Sequence, residues 1–509
     1  MDATDELPPP YSHRQAVRVI LGLLLCILLG ALDQTVVIPA VPAIAADLDA
    51  FSHLSWIVTA YLLTTTAMTP IYGRLSDDYG RRAVLLPALT LFILASCLCA
   101  ASQGLGQLIA ARALQGVGGA GLLSMAQSAI ADVVPPRERG RYQGYMTGTW
   151  AFASVAGPLV GGYVTDHLSW RFVFWINLPI GIIAFLLADR ALRVLPRRRR
   201  PGRIDFAGAV LLVGCVTCFL LVLSWGGSAF PWLSAEVLGT GLGGLVLLLL
   251  LVLQERRAAD PLLPPRLFGN RVFLCGLGIS FFASLAMFAC IFMLPLFFQL
   301  VRGANAERSG QLVLPFLVFS TLAAFLTGVG MRRIGRARPA LLFGMAVAAF
   351  SLLLMGFMDR GTPLGWELLL SSLAGVGTGI LMPASLVSVQ NAAERRDVGV
   401  ATATLLFLRS LGGAFGSTLA GVLVTAGFNR ALARSGLPAH LDLGSMRGAS
   451  DAFAHFPEGS RAVAEAGLVA GFSTAFLVTA GLTLLAMAIA WVIPDVHLRA
   501  AGEPAGVAH

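Results

Sequence analysis

The 509-residue chain is 57% hydrophobic and only 12% charged, with a mean hydropathy of +0.79. Soluble globular chains run near ~45–50% apolar and ~25% charged, so a soluble domain is excluded, as are disordered, collagen-like and coiled-coil chains. The net charge of +9 rests on 36 basic residues, all Arg, placed in short stretches between apolar runs; that is the cytoplasmic bias of a membrane protein, and no nucleic-acid partner is expected.

The N-terminal MDATDELPPP is acidic and Pro-rich, unlike the start of a cleaved signal, so the first apolar run is expected to direct insertion itself. Fourteen apolar runs follow, at 17–39, 54–72, 83–102, 107–131, 142–165, 172–190, 205–225, 233–254, 272–300, 309–330, 339–357, 364–389, 398–426 and 465–493. Each is near the ~20 residues that a helix needs to cross a ~30 Å hydrocarbon core. The expectation is an all-α polytopic membrane protein with fourteen transmembrane helices. Connections after odd-numbered helices hold eight Arg; the N-terminus, the even-to-odd connections and the C-terminus hold 26; Arg112 and Arg409 sit inside runs. That asymmetry places both termini in the cytoplasm. Trp56, Trp170, Trp175, Trp225, Trp232 and Trp366 fall near the outer ends, as an interfacial belt would. The seven Cys all lie inside apolar runs and read as small packing residues, without a disulfide framework.

A repeat is visible: GRLSDDYGRR (73–82) and GVGMRRIGRAR (328–338) align Gly73 with Gly328, Gly80 with Gly335 and Arg81 with Arg336. If the seventh and eighth helices are an insertion, both stretches occupy the same place in two six-helix halves, the build of alternating-access transporters. The expected organisation is a cytoplasmic tail at 1–16, a six-helix bundle at 17–193 and a central helix pair at 205–254. A pseudo-symmetric second bundle covers 272–494 with an extracellular loop at 427–464, and a cytoplasmic tail covers 495–509.

A charge at bilayer depth costs ~2.5–3.5 kcal/mol on insertion scales and persists where it has a partner or lines a cavity. Asp33, in the outer half of the first helix beside Gln34, is the proton-binding candidate. The alternative is a fixed ion pair with Arg112 that only docks two helices. Arg112, in the fourth helix, stays charged and would set the proton affinity of a nearby carboxylate. Gln34, Gln115 and Arg409 are candidates for the substrate cavity, with helix packing an equal reading for Arg409. In the 73–82 loop, Gly73 and Gly80 permit tight backbone, Asp77 can cap a helix N-terminus, and Arg81 can reach Asp132. Such contacts would form only with the inner side closed and so would act as a conformational latch. Gly157, Pro158, Gly161 and Gly162 group on the fifth helix, where packing and a functional bend are physically alike. No Walker motif and no metal constellation occur, so an ATP-driven pump is not expected.

Taken together, these motifs resemble those of the major facilitator superfamily, in particular its fourteen-helix drug:proton antiporters of the EmrB/QacA type. GRLSDDYGRR looks like the superfamily's loop signature, LIAARALQGVGG the fourth-helix signature with its coupling arginine (Arg112), and GPLVGG (157–162) the fifth-helix antiporter signature. LDQTVVIPAVP is similar to the first-helix motif, and SWRFVFWINLPIG (169–181) and RIDFAG (203–208) to further marks of this branch. Ile38 and Pro39 stand where the family usually has Asn and Val, so the backbone beyond Asp33 is expected to differ. The later helices hold no deep carboxylate, Glu236 and Glu367 lying near outer ends, whereas members that handle divalent cations often carry one. That points to monovalent, neutral or zwitterionic substrates.

The resemblance implies a proton-coupled antiporter that exports lipophilic or cationic small molecules by alternating access. Energy would come from the proton gradient, without a cofactor or metal. Such a protein is not an enzyme; it would reside in the bacterial cytoplasmic (inner) membrane as a monomer, a periplasmic adaptor being the one protein partner considered. A dedicated exporter of one metabolite, antibiotic or lipid carries the same motifs. A polytopic membrane enzyme or lipid-assembly factor would need a catalytic cluster near a helix end, and none is written in the sequence.

Overall fold

The computed structural model describes residues 13–48, 55–134, 136–193, 205–227, 230–304, 306–434, 458–494 and 497–498. Within them the chain is helical: α1 (His13–Asp47), α2 (Ser55–Tyr79), α3 (Arg81–Ala101), α4 (Leu105–Val133), α5 (Pro136–His167), the short α6 (Phe172–Trp175) and α7 (Asn177–Leu192). Then come α8 (Phe206–Trp225), α9 (Ala235–Arg257), the short α10 (Pro265–Phe268), α11 (Arg271–Leu300) and α12 (Ala306–Ile334). The chain continues through α13 (Arg338–Met355), α14 (Leu364–Ala392), α15 (Val398–Arg434) and α16 (Glu458–Val492). Twelve stretches among the described residues are long and apolar enough to cross a membrane. α2 and α5, of 25 and 32 residues, are long but fall outside that set by composition. Thr64, Thr65, Thr66 and Thr69 on α2, and Gly157, Pro158, Gly161 and Gly162 on α5, dilute their apolar content.

Helix pairings recur along the chain. The pairs α1/α5, α2/α4, α3/α4, α3/α7 and α1/α7 reappear as α11/α15, α12/α14, α13/α14, α13/α16 and α11/α16. Small residues let these backbones meet, the usual device where lipid supplies no hydrophobic force between helices. Gly157 and Gly161 lie on Thr35 and Val36 of α1, as Gly412 and Gly416 lie on Phe281 and Leu285 of α11. Gly116 sits on Tyr61 of α2 and Gly118 on Ala88 and Phe92 of α3; Gly375 sits on Phe316 of α12 and Gly377 on Ala348 of α13. The two aligned turn glycines share a left-handed backbone, with φ of 89° at Gly80 and 69° at Gly335. α2 meets α15 and α5 meets α12, joining the first set of helices to the second. α8 and α9 pack on each other, and α8 also touches α2 and α15.

Several expectations are corrected. GRLSDDYGRR is not a loop: α2 runs on through Tyr79 and breaks only at Gly80. Helical hydrogen bonding continues past the apolar run, because the polar turn finds partners on other helices. α15 extends to Arg434 and α16 starts at Glu458, so both ends of the stretch expected as a loop at 427–464 are helical, while 435–457 lie outside the described residues. The tails 1–12 and 499–509 lie outside them too. The sixth apolar run is interrupted at Ile176. Pro179 has no N–H to donate four residues back, which loosens that turn. Trp170 is not a lipid-facing belt residue: it is buried, and its indole N–H donates to Asp47 Oδ2 at 3.0 Å.

Candidate functional site

Two clusters of buried charge stand out against the apolar helices. The first surrounds Asp33, which α1 turns toward α4 and α7. Arg112 and Gln115 lie one turn apart on α4 and so share a face. Arg112 Nη1 donates to Asp33 Oδ2 at 2.7 Å and to Gln115 Oε1 at 2.6 Å; its Nε donates to Ile57 O at 3.2 Å. Gln115 Nε2 donates to Asp33 Oδ1 at 2.9 Å, and Asn177 Nδ2, at the start of α7, donates to the same oxygen at 2.7 Å. Both amides also reach Ser96 Oγ on α3, at 3.2 Å and 2.9 Å. The Arg112 guanidinium lies over the Tyr61 ring, 4.4 Å from its centroid. Asp33, Arg112 and Asn177 are each 1% exposed and Gln115 is 0% exposed, so the cluster is closed to water in this conformation.

Three donors satisfy the Asp33 carboxylate. Protonation would cancel the charge-assisted bonds that hold α1 to α4 and α7. Asn177, Ser96 and Tyr61 were not singled out in the sequence. Asn177 had a signal: it is a polar side chain inside an apolar run, two residues before a proline. Ser96 and Tyr61 had none, being ordinary small and aromatic residues of membrane helices.

Of the residues expected at a substrate cavity, Gln115 belongs instead to the Asp33 cluster and is fully buried. Polar groups on the Asp33 face of α4 find partners there rather than solvent. Gln34 is half-buried and adjoins Tyr61. Arg409 is half-buried on α15; its Nε donates to Ser280 Oγ of α11 at 2.8 Å, and its Nη2 to Ser385 Oγ at 3.0 Å and to the Met382 carbonyl of α14. It ties three helices together, with no carboxylate in ion-pair range among the described residues.

The second cluster lies where α2 meets α15. Asp77 Oδ1 accepts the Gly399 amide at 3.0 Å and Oδ2 the Val400 amide at 2.8 Å, capping the N-terminus of α15. Arg81 pairs with Asp77 at 2.8 Å and with Asp132, at the end of α4, at 2.8 Å; it also touches Ser76 Oγ. Gly73 packs on Gly399 and Ala403, and a Cβ on Gly399 would strike Asp77 and Arg81, so only glycine fits there. Of the five expected residues, Gly73 and Asp77 meet α15, and Arg81, next to the Gly80 turn, joins Asp77 to Asp132. Nearby, Arg139 Nη1 reaches Gln390 Oε1 at 3.4 Å, and Arg266 Nη2 pairs with Asp397 at 2.9 Å just before α15. The aligned segment of α12 has Arg332 where α2 has Asp77, so it offers no equivalent cap; Arg336 turns to His497 instead.

On α5, Gly157 and Gly161 form the α1 interface, while Pro158 is exposed and Gly162 has open space around it. Gly161→Val should therefore lower thermal stability by about 1–3 kcal/mol or more through overpacking against the α1 backbone. Gly162→Val should leave the melting temperature of the purified protein nearly unchanged. Equal losses for the two would contradict this assignment of faces.

A family model described as Major Facilitator Superfamily matches residues 23–417. An MFS-type transporter of Mycobacterium tuberculosis is 38% identical over 414 residues, 81% of this chain and 60% of that one; the chain thus spans only about three fifths of that relative. The multidrug transporter protein MdtP of Bacillus subtilis is 36% identical over 417 residues, covering 81% of this chain and 76% of its own length. Among solved structures, the human organic anion transporter MFSD10 superposes with a TM-score of 0.63 at 18% identity, over 95% of this chain and 100% of that one, a likeness of fold.

Proposed function

Because the chain belongs to the major facilitator superfamily, we propose that it is a proton-coupled exporter of lipophilic or cationic small molecules, working by alternating access. The observation that carries this reading is a carboxylate, Asp33, held by Arg112, Gln115 and Asn177 inside membrane helices. Export rather than import is favoured by the fifth-helix GPLVGG stretch (157–162) and by relatives whose printed names are a multidrug transporter and a multidrug resistance protein. The architecture that accompanies it is fourteen membrane helices, α2 and α5 included, in two six-helix bundles with α8 and α9 as a central pair. Both termini would be cytoplasmic, in a bacterial inner membrane, and the working unit a monomer.

The Arg asymmetry supports a cytoplasmic position for the helix seam held by Asp77 and Arg81, and on that reading the conformation is the inward-closed one. In the cycle, a proton taken from outside neutralises Asp33 and frees Arg112, which retains Gln115 and the Ile57 carbonyl as acceptors. α1 then loosens from α4 and the inner seam can open. Substrate arriving from the cytoplasm or inner leaflet promotes loss of the proton and resets the network. A membrane potential contributes ~2.3 kcal/mol per charge per 100 mV to this exchange, and no cofactor is needed. The direct test is addition of a transported compound to purified protein in weakly buffered solution. Net proton release is expected, and an unchanged pH at saturating substrate would overturn the coupling.

A further inference from the structure

Asp205 and Glu255 face each other at one corner of the α8–α9 pair. Asp205 caps α8: its Oδ1 accepts the Gly208 amide at 2.9 Å and Gln254 Nε2 of α9 at 3.0 Å. Glu255, in the last turn of α9, is 6% exposed and accepts the Leu263 amide through Oε2 at 3.0 Å. The remaining oxygens, Asp205 Oδ2 and Glu255 Oε1, are both buried and without a hydrogen-bond partner. They also point at the same place: a Cβ on Gly208 would lie 2.5 Å from Asp205 Oδ2 and 3.1 Å from Glu255 Oε1. The Asp and the Gly of RIDFAG thus belong to one small construction, which requires glycine at position 208.

No cation within ion-pair range of either carboxylate serves this corner among the described residues. From α2, Arg74 faces it but is engaged with Asp78 at 3.1 Å and Asp260 at 3.6 Å. Arg256 and Arg257 follow in sequence and are exposed. An apolar cluster of Ile71 of α2, Leu212 of α8, Leu251 of α9, Leu262 of the linker after α9 and Phe407 of α15 packs between these helices. Two buried carboxylate oxygens that face one point without a partner are both left unsatisfied, and a hydrogen bonded between them is the smallest group that would satisfy both.

We propose that Asp205 and Glu255 bind a proton jointly, making a pH-dependent clasp on the linker from α9 to α11. With the proton in place, Glu255 holds the Leu263 amide and Asp205 holds both α8 and Gln254. When the pH on that side rises, the proton leaves to water, the two carboxylates repel, and the linker is released. The same linker carries Asp260, which meets Arg74 on α2, and leads to Arg266, which meets Asp397 beside the Asp77 cap. Its release therefore bears on the α2–α15 seam from both sides. This goes beyond the transport reading and does not depend on it.

The test uses infrared titration of full-length Asp33→Asn protein, read as the band that separates it from its Glu255 and Asp205 variants, because Asp77 and Glu367 are buried carboxyls too and cancel in that difference. A protonated carboxylic-acid C=O band is expected to persist well above the ordinary carboxylate pKa of ~4 and to vanish in Asp33→Asn/Glu255→Gln and in Asp33→Asn/Asp205→Asn. Absence of the band, its survival in both double variants, or its dependence on sodium or potassium in place of choline would overturn the proposal. A second measurement needs no variant: hydrogen exchange at 258–264, corrected for its intrinsic pH dependence, should rise through the midpoint of the band. Constant protection across that range would equally overturn it.

Discussion

Asp33→Asn is expected to leave the helices assembled and to abolish proton-driven export in everted membrane vesicles. The side chain is nearly isosteric, but an amide cannot exchange a proton in this pH range, and its nitrogen would present a second donor to a site already crowded with donors. Arg112 would then be a buried charge without a counter-ion, and breaking a buried pair from one side costs ~3–5 kcal/mol. Part of that loss is offset, because Gln115 Oε1, the Ile57 carbonyl and the Tyr61 ring still face the guanidinium. A drop in melting temperature should accompany the loss of coupling. Asp33→Asn/Arg112→Gln should regain most of the stability while remaining uncoupled, since the orphaned charge is gone and the titrating group is still missing. This pair of outcomes separates the proton-carrying role from the helix-docking role, which are geometrically identical in a single conformation. Undiminished efflux by Asp33→Asn would leave the ion pair as mere packing.

The same residues show what the sequence could and could not reveal. Asp33, Arg112, Asp77 and Arg81 are conspicuous because charge inside or beside an apolar run is costly and must be explained by a partner. The partner on the same motif is also foreseeable: Arg81 reaches Asp132 as its position at the inner end of α4 suggests. The cap partners of Asp77 are not, because Gly399 and Val400 contribute only backbone amides, which any sequence possesses. Asn177 completes the Asp33 shell from a helix 144 residues away, and nothing in local spacing points across that distance. Apolar runs also mark lipid-crossing stretches better than helix ends. α2 and α15 both continue beyond theirs: the polar turn of α2 finds partners on α15, and Gly427 and Phe428 of α15 pack on α16. The repeat was legible in two short segments, yet its substance lies in the glycines at Gly157 and Gly161 and at Gly412 and Gly416, which pack alike on α1 and α11. The two sets of helices differ where chemistry occurs. The α12 segment has Arg332 in the place of Asp77, so only one of the two helix seams, α2 against α15, carries the cap.

That asymmetry makes Asp77→Asn a sharp probe of the seam. An ionised Asp77 accepts two amides of α15 and neutralises one side of Arg81. An asparagine keeps a single acceptor oxygen, turns a donor toward the remaining amide, and removes the charge that complements both the helix N-terminus and the guanidinium. Hydrogen bonds to charged groups contribute ~1.5–3 kcal/mol each, so losing even one shifts the inward-closed population by roughly 10- to 150-fold, at 1.4 kcal/mol per decade. Spin labels at Tyr79 and Glu394, both exposed near the seam, should report longer distances in a cysteine-free Asp77→Asn protein than in its parent. Substrate affinity should survive, because no residue of the cap belongs to the Asp33 cluster, whereas turnover should fall as the inner side fails to reclose. Gly399→Ala tests the same seam from the opposite helix: its Cβ would meet Asp77 and Arg81, and the label distances should lengthen in the same direction. If both variants keep the parent's distance distribution while transport fails, the cap stabilises α15 locally and does not govern closure.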